Sequence, residues 1–233
     1  MKVKPTQKQR NTKKIKNFIF QFFMVFLAIT GGFFMENLRE NYIEQHRERE
    51  YIESMVKDVK QDTLSLQEII TNCEQQIIGI DSLKLVLKSP VEEIDYRKMY
   101  IFTLKYINTL SSFSTNEITM IQLKNSGGLR LIANKSASDS IVNYYSTYDS
   151  HIEQQKYIRS FLKEILNVEL KAMDFSALIE DNHKLSFDQS KFKEFHNRTL
   201  FFQALLENEV IWMRNYQKQS ISLLYHLKKE YKL

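Results

Sequence analysis

The chain has 233 residues, of which 26% are charged, but only five are glycine and two are proline. Strand-rich sandwiches need a turn roughly every 8–12 residues, so this scarcity of turn formers argues against them and favours long helices. The single cysteine, Cys73, excludes an internal disulfide.

The net charge of +5 is distributed unevenly along the chain. Residues 1–17 contain seven lysine or arginine residues and no acid, which leaves −2 of that total for residues 18–233. A nucleic-acid-binding domain carries its basic excess on a folded face. We therefore expect no nucleic-acid partner.

Residues 18–35, FIFQFFMVFLAITGGFFM, carry no formal charge. Eighteen helical residues rise about 27 Å, close to the roughly 30 Å hydrocarbon core of a bilayer. The run therefore predicts a transmembrane helix in contact with the lipid bilayer. The small residues at 28 and 32 also permit close packing against another membrane helix. Representative span residues are Phe18, Phe22, Phe26, Ala28, Gly32 and Met35.

The charges on either side of this span predict its orientation. Residues 36–53 contain three arginines and six glutamates, whereas the basic residues before the span are unopposed. Because positive charge stays on the cytoplasmic side, we expect a single-pass inner-membrane protein with a cytoplasmic N-terminus and an extracytoplasmic C-terminal domain. A cleaved signal peptide is the rival interpretation, but its apolar region is usually shorter and ends in a small-residue site.

Beyond the span, the helix is expected to continue through a charged stalk, residues 36–50, into the outer domain, residues 51–233. Apolar residues then alternate at spacings of four and three, which predicts coiled-coil-like packing along one seam. We expect this seam to pack against other helices or a partner. It contains Ile52, Val56, Val59, Leu66, Ile70, Cys73 and Ile77.

Three further long helices are expected in the outer domain. Ser89 and Pro90 predict the start of a second helix over residues 91–111, followed by a short helix that Gly127 and Gly128 terminate. The third begins near Ser136, residues 174–195 form an irregular connector, and the last helix follows. The predicted fold is all-α, with four long helices and one short helix in an up-down bundle.

The spacing of reactive side chains favours no known catalytic or metal-binding motif. The five histidines do not occur in a zinc-ligand pattern, and phosphate-binding, dinucleotide-binding and serine-hydrolase motifs are not found in the sequence. His226 and Glu230 lie four residues apart on the last helix, but zinc requires more ligands. We expect a protein that is not an enzyme and has no cofactor or metal.

Four short motifs resemble a family of small bacterial membrane proteins, mostly from Bacteroidota, known only as a domain of unknown function. They are N-x-x-E at residues 37–40, E-Y-[LI]-x-x-[LM]-x-x-D at 50–58, S-G-x-L-x-L-I-x-N-K at 126–135, and a tyrosine pair at 144–145. The last two motifs contribute Ser126, Gly127, Leu129, Leu131, Ile132, Asn134, Tyr144 and Tyr145.

The resemblance implies the topology given above and a helical outer domain, and it implies no activity. The chain departs from the family pattern at two positions. Gln21 stands where the family usually has glutamate, and Leu38 where it has tryptophan.

Three functions are compatible with these features. The first is a non-catalytic, membrane-anchored interaction protein whose outer bundle binds a protein partner or a second copy of itself. The second is a sensor-like bundle that binds a small ligand and signals through a separate membrane partner, because 17 cytoplasmic residues have no room for an output domain. The third, an envelope hydrolase, needs a catalytic cluster that only the fold would bring together.

Overall fold

The computed structural model describes residues 7–179 and 185–233, without the side chains of residues 7–15 and of Val91. The first six residues of the predicted basic tail lie outside this description. The described residues are helical apart from loops and one isolated antiparallel bridge between Met173 and Phe187. The expectation of an all-α chain is confirmed.

The chain divides into two compact units, the first ending at Glu50 and the second comprising Tyr51–Leu233. Helix α1, Gln7–Leu87, begins in the first unit. Of the helices described, this one is long and apolar enough near the N-terminus to cross a membrane, and its apolar window is wholly unburied. Charged side chains pair along the segment that follows, as in the 2.5 Å contact between Arg39 and Glu36.

In the second unit, the C-terminal part of α1 packs against α4, Lys135–Ala172, and α5, Gln189–Tyr231. Hydrogen bonds join Thr63 of α1 to Ser220 and, later along α1, Lys84 to the earlier residue Gln203, so α5 runs antiparallel to α1. Helix α5 is also antiparallel to α4, since residues near the start of α4 pair with residues near the end of α5.

Two groups of buried side chains form the core of this unit. One is centred on residues such as Ile52, Tyr144 and Met213. The other is centred on Ile80, Ile165 and Phe202. Each group takes residues from α1, α4 and α5, so these three long helices depend on one another for burial of their apolar faces.

The chain between α1 and α4 differs from the predicted long helix over residues 91–111. It contains a 3₁₀ turn, Val91–Glu93, helix α2, Tyr96–Phe102, and a π-helical turn, Thr103–Ile107. Residues 108–117 then carry no regular secondary structure. The expectation of four long helices is therefore wrong, since the described residues form three, α1, α4 and α5.

The predicted start of that second helix is also wrong, for a local reason. Ile94 is extended and buried, so the backbone turns before the helix can begin. Asp95 caps α2 instead of Ser89, because its side chain accepts a hydrogen bond from the Lys98 N–H at 3.0 Å. A capping carboxylate placed after the turn stabilises a helix that begins there.

The next boundaries agree better with the sequence. Helix α3, Ile118–Ser126, ends at Gly127, which adopts the left-handed conformation at φ 67° as the glycine prediction requires. Helix α4 begins one residue before the predicted Ser136, because Asn134 caps it through the Ala137 N–H at 3.1 Å. A short 3₁₀ turn, Phe175–Leu178, follows α4.

Helix α5 begins inside the segment that we expected to be irregular up to residue 195. Asp188 caps it by accepting a hydrogen bond from the Ser190 N–H at 2.9 Å. Apolar residues at helical spacing predict a buried stripe along this helix, and Phe202, Leu206, Val210 and Met213 are indeed buried. Ile221, which continues the same spacing, is 52% exposed. Ser220 is buried in its place because it approaches α1 closely, 2.9 Å from the Thr63 hydroxyl.

Candidate functional site

The six span residues named above are all exposed on the surface of α1. The rings of Phe22 and Phe26 stack with centroids 6.4 Å apart on one side of the helix. At Gly32, an added Cβ would meet no atom within 4 Å, so the surface near Ala28 is open. The span thus presents apolar side chains that no other described part of the chain covers.

The predicted heptad seam lies inside the second unit. Five of its residues are buried in the core, and the other two, Val56 and Ile77, are half-buried against it. The buried five are Ile52, Val59, Leu66, Ile70 and Cys73. The chain's own helices therefore occupy the seam.

A buried carboxylate on α1, Asp62, joins three parts of the second unit. It accepts hydrogen bonds from the Thr115 hydroxyl at 2.6 Å, the Asn116 N–H at 2.8 Å and the Tyr144 hydroxyl at 2.7 Å. Burial raises the pKa of Asp62, while these three donors oppose the rise. Since both oxygens are satisfied, the carboxylate fixes the irregular segment between α1 and α4.

The tyrosine pair of the family-like motif belongs to the same network. The Tyr145 hydroxyl donates to the Asn116 carbonyl at 3.0 Å, and the ring of Tyr144 stacks on Tyr216 with centroids 4.6 Å apart. Burial raises the pKa of all three tyrosines above the ordinary value, so their hydroxyls remain neutral donors. The pair thus holds α4 against the segment that follows α2.

The other family-like motif builds the turn that leads into α4. Asn134 caps α4 and also donates from its side-chain amide to Glu230 at 2.7 Å, near the end of α5. Ile132 is buried, and Leu129 and Leu131 are half-buried. Ser126 and Gly127 are exposed at the turn itself. These residues join α3 to α4.

The pair of His226 and Glu230 does not converge on a common point. The His226 ring lies 3.2 Å from the Ser136 hydroxyl, whereas Glu230 accepts from Asn134. Within the described part of the chain, no group of three or more histidine, cysteine or acidic residues is placed to hold a metal ion.

A second buried polar pair links α4 to α5. His151 and Glu209 lie 2.7 Å apart, and both side chains are buried. The His151 ring stacks on Trp212 with centroids 3.6 Å apart and planes 5° from parallel. These residues are far apart in the sequence, so no local pattern predicted their contact.

The unusual polar group is Glu169, near the end of α4. It is 1% exposed, and neither of its carboxylate oxygens has a hydrogen-bond partner among the described residues. Burial raises the pKa of Glu169 to about 7, and the neighbouring Asn108 side chain opposes that rise only in part. Buried acids without partners are rare in proteins because the loss of hydration is costly.

Glu169 lines a cavity of about 510 Å³ that is otherwise mostly apolar. We call this the Glu169 groove. Its remaining wall residues are Leu104, Asn108, Leu166, Leu170, Phe175, Leu178 and Ile179. No sequence motif predicts this groove, although Glu169 stands seven residues after Leu162 and four after Ile165, on the buried stripe of α4. The feature of the sequence that could have indicated the groove is an acidic residue on an otherwise apolar helical stripe.

Comparison of the chain with protein-family models, curated proteins and solved structures finds no match. The resemblance to the Bacteroidota-type family therefore stays a prediction that depends on the four motifs.

Proposed function

We propose that this protein is a non-catalytic, single-pass membrane protein whose second unit binds a protein partner or a second copy of the chain. The observation that carries the proposal is the apolar surface of residues 18–35, which no described residue covers. Removal of such a surface from water is favourable by about 25 cal/mol per Å² of apolar area. A lipid bilayer provides that environment along the full length of the stretch.

The basic residues before the span support a cytoplasmic N-terminus. Seven lysine or arginine residues precede the span, and the short segment after it carries an acidic excess. In this orientation the second unit lies outside the inner membrane. The balance of −2 for residues 18–233 supports a protein partner over nucleic acid.

Packing directions within the second unit support an up-down bundle. The segment between α1 and α4 runs antiparallel to α1, because Gln76 bonds to the Tyr106 carbonyl while the earlier residue Asp62 bonds to Asn116. Helix α4 then runs parallel to α1, and α5 returns. We therefore interpret the unit as an up-down bundle of four segments, of which the second, between α1 and α4, is irregular.

An exposed apolar line on α1 supports the binding of a partner. Leu64, Ile78 and Leu85 are 58%, 65% and 68% exposed and are spaced by multiples of seven residues. Side chains at heptad spacing lie along one side of a helix, where an apolar face of a partner helix packs against them. This line lies apart from the buried seam, so the chain's own core does not occupy it.

Site-specific photocrosslinking in cells tests the partner. A photoreactive residue at Ile78 is expected to capture a defined protein or a second copy of the chain. The same residue at Ile118, which is 63% exposed on α3, serves as the matched control and is expected to give no adduct. The proposal fails if the protein purified in mild detergent is strictly monomeric and carries no partner.

Reporter fusions test the topology separately. Alkaline phosphatase fused after Leu233 is expected to be active, because that enzyme requires an oxidising compartment for its disulfides. A fluorescent protein that matures only in the cytoplasm is expected to be dark at the same position. The reverse pattern would place the second unit in the cytoplasm.

A further inference from the structure

A second groove, of about 510 Å³, lies between the start of α4 and the end of α5. We call it the α4–α5 groove. Its volume falls in the range of small-molecule sites. None of its described lining residues is lysine, arginine, aspartate or glutamate, although 26% of the chain is charged. The polar residues of its two walls are Ser136, Ser140 and Asn143 on α4 and Gln219, Ser222 and His226 on α5.

Two hydrogen-bonded contacts between the helices flank the centre of this groove. The Ser136 hydroxyl lies 3.2 Å from the His226 ring, and the Gln219 side-chain amide donates to the Thr147 hydroxyl at 3.3 Å. The other polar wall residues lie between these two contacts along each helix. Leu223 also lines the groove and is buried, so it forms the floor. The groove is therefore formed before a ligand arrives, which lowers the cost of ordering side chains on binding.

The walls offer accessible, uncharged hydrogen-bonding groups. The Ser140 hydroxyl donates to the Ser136 carbonyl at 2.7 Å, which leaves its oxygen free to accept. Asn143 and Ser222 are exposed, and their side chains have no hydrogen-bond partner among the described residues. An amide and a hydroxyl can each donate and accept. A sugar hydroxyl does the same, so these groups match an uncharged polyhydroxylated molecule.

An aromatic side chain adds an apolar surface to the same groove. Tyr225 lines it and is 71% exposed. The ring is flat and apolar, and its hydroxyl provides a polar edge. A pyranose often has one face made mainly of C–H groups and carries hydroxyls around its rim. It can therefore pack on the tyrosine ring while its hydroxyls reach the polar side chains nearby.

We propose that the α4–α5 groove binds a short, neutral pyranose oligosaccharide. One sugar packs on the ring of Tyr225, and sugar hydroxyls bond to Ser140, Asn143 and Ser222. This site goes beyond the partner binding proposed above and does not depend on it.

Other ligand classes fit the α4–α5 groove less well. An anion such as phosphate is recognised by arginine or lysine, and the described lining contains neither. Lys135 lines an adjoining cavity, where the opposite charge of Asp139 accompanies it. A metal ion needs several oxygen or nitrogen ligands, and no such group occurs in the described part of the chain. A purely apolar molecule would cover the wall groups without bonding to them, which is costly.

Ligand titration of the full chain in lipid nanodiscs tests the proposal. The probes are cellotetraose and N-acetylchitotetraose, which carries an N-acetyl group on each sugar. Tetraethylene glycol, which has acceptors along its length but donors only at its ends, is the negative control. Binding is measured by ligand-observed NMR against empty nanodiscs. We expect at least one tetrasaccharide to bind with a Kd of about 1 mM or lower and the glycol not to bind.

Three variants identify the groups responsible. Tyr225→Ala removes the ring and is expected to weaken tetrasaccharide binding at least about fivefold. Asn143→Leu keeps a similar side-chain size without the hydrogen bonds and is expected to weaken it at least about threefold. Tyr157→Ala removes a tyrosine of α4 that is 48% exposed and does not line the groove. It is the matched control and is expected to bind as the native chain does.

Several results would overturn the proposal. One is that neither tetrasaccharide binds the native chain. Another is that tetraethylene glycol binds equally well, which would show that sugar hydroxyls are not recognised. Unchanged binding in Tyr225→Ala would place the sugar elsewhere, and equal weakening in Tyr157→Ala would show that the effect is not specific to the groove. Tyr225 and Asn143 are both exposed, so their substitutions should leave the fold intact, as circular dichroism can verify.

Discussion

The ring of Tyr106 lies directly against the backbone of Gly79 on α1. A Cβ added at Gly79 would fall 2.2 Å from a carbon of that ring, which is inside any permitted contact. The contact places the π-helical turn Thr103–Ile107 close to α1, where the Gln76 side-chain amide donates to the Tyr106 carbonyl at 2.7 Å. Glycine is thus required here because of close approach.

We therefore expect Gly79→Ala to destabilise the second unit. Overpacking costs roughly 1–3 kcal/mol, whereas alanine gains about 1 kcal/mol over glycine inside a helix, so a net loss of up to about 2 kcal/mol is expected. Urea unfolding of the full chain measures it. Gly31→Ala, where an added Cβ meets nothing within 4 Å, is the control. Equal stability of both variants would show that Tyr106 moves away without cost.

Asp62→Asn should weaken the hydrogen-bond network that joins α1 to α4 and to the irregular segment between them. Three donors face the two carboxylate oxygens, and an asparagine amide would set its own donors against at least one of them. A buried group left without its partner costs about 1–3 kcal/mol, and we expect a loss in that range at pH 7. Chemical unfolding measures it. Glu153→Gln, at a highly exposed position, should change stability by less than about 0.5 kcal/mol.

The buried carboxyl of Glu169 should make stability depend on pH. Its pKa is raised from 4.5 to about 7 in the folded chain. The stability that protonation contributes is therefore complete below pH 4.5 and is lost as pH rises towards 7. Glu169→Gln removes this dependence, so its advantage over the native chain should grow by about 2–3 kcal/mol between pH 5 and pH 8.

Unfolding free energies at pH 5, 6 and 8 check that expectation. The exposed control, Glu164→Gln, should follow the native chain at each pH. A constant difference between Glu169→Gln and the native protein would show that Glu169 is already ionised at pH 5, and hence that it has a donor.

The thiol of Cys73 should be unreactive in the folded chain. It is fully buried, and burial raises its pKa to about 11. Because the thiolate is the reactive species, maleimide labelling at pH 7 should be slow until denaturant is added. Asn72→Cys introduces an exposed thiol at the next position and should label rapidly. Rapid labelling of the native chain would reveal local opening of the α1 core.

Local patterns determined the features that depend on neighbouring residues. Low glycine and proline content and apolar periodicity predicted long helices, which the structure confirms as α1, α4 and α5. The uncharged stretch at 18–35 was evident from composition. The left-handed turn at Gly127 followed from glycine chemistry alone, because other residues rarely adopt that conformation.

Errors occurred where tertiary contacts outweighed local preference. The pattern of residues 91–111 is that of a helix, yet burial of Ile94 and the approach of Tyr106 to Gly79 interrupt it. Similarly, Ser220 replaces Ile221 in the core because α1 and α5 approach closely at Thr63. Neither contact can be read from the residues nearby.

The sequence by itself thus determined the three long helices, the apolar stretch and the charge asymmetry, since each follows from residues within a few turns of one another. Only the tertiary structure decided which polar groups meet. Asp62 and Tyr144 are 82 residues apart, and His151 and Glu209 are 58 apart. Glu169 differs from both because its carboxylate is buried and has no geometric hydrogen-bond partner among the described residues. Whether a polar side chain is buried, and which group it contacts, depends on how the helices assemble. The Glu169 groove is therefore evident only in the tertiary structure.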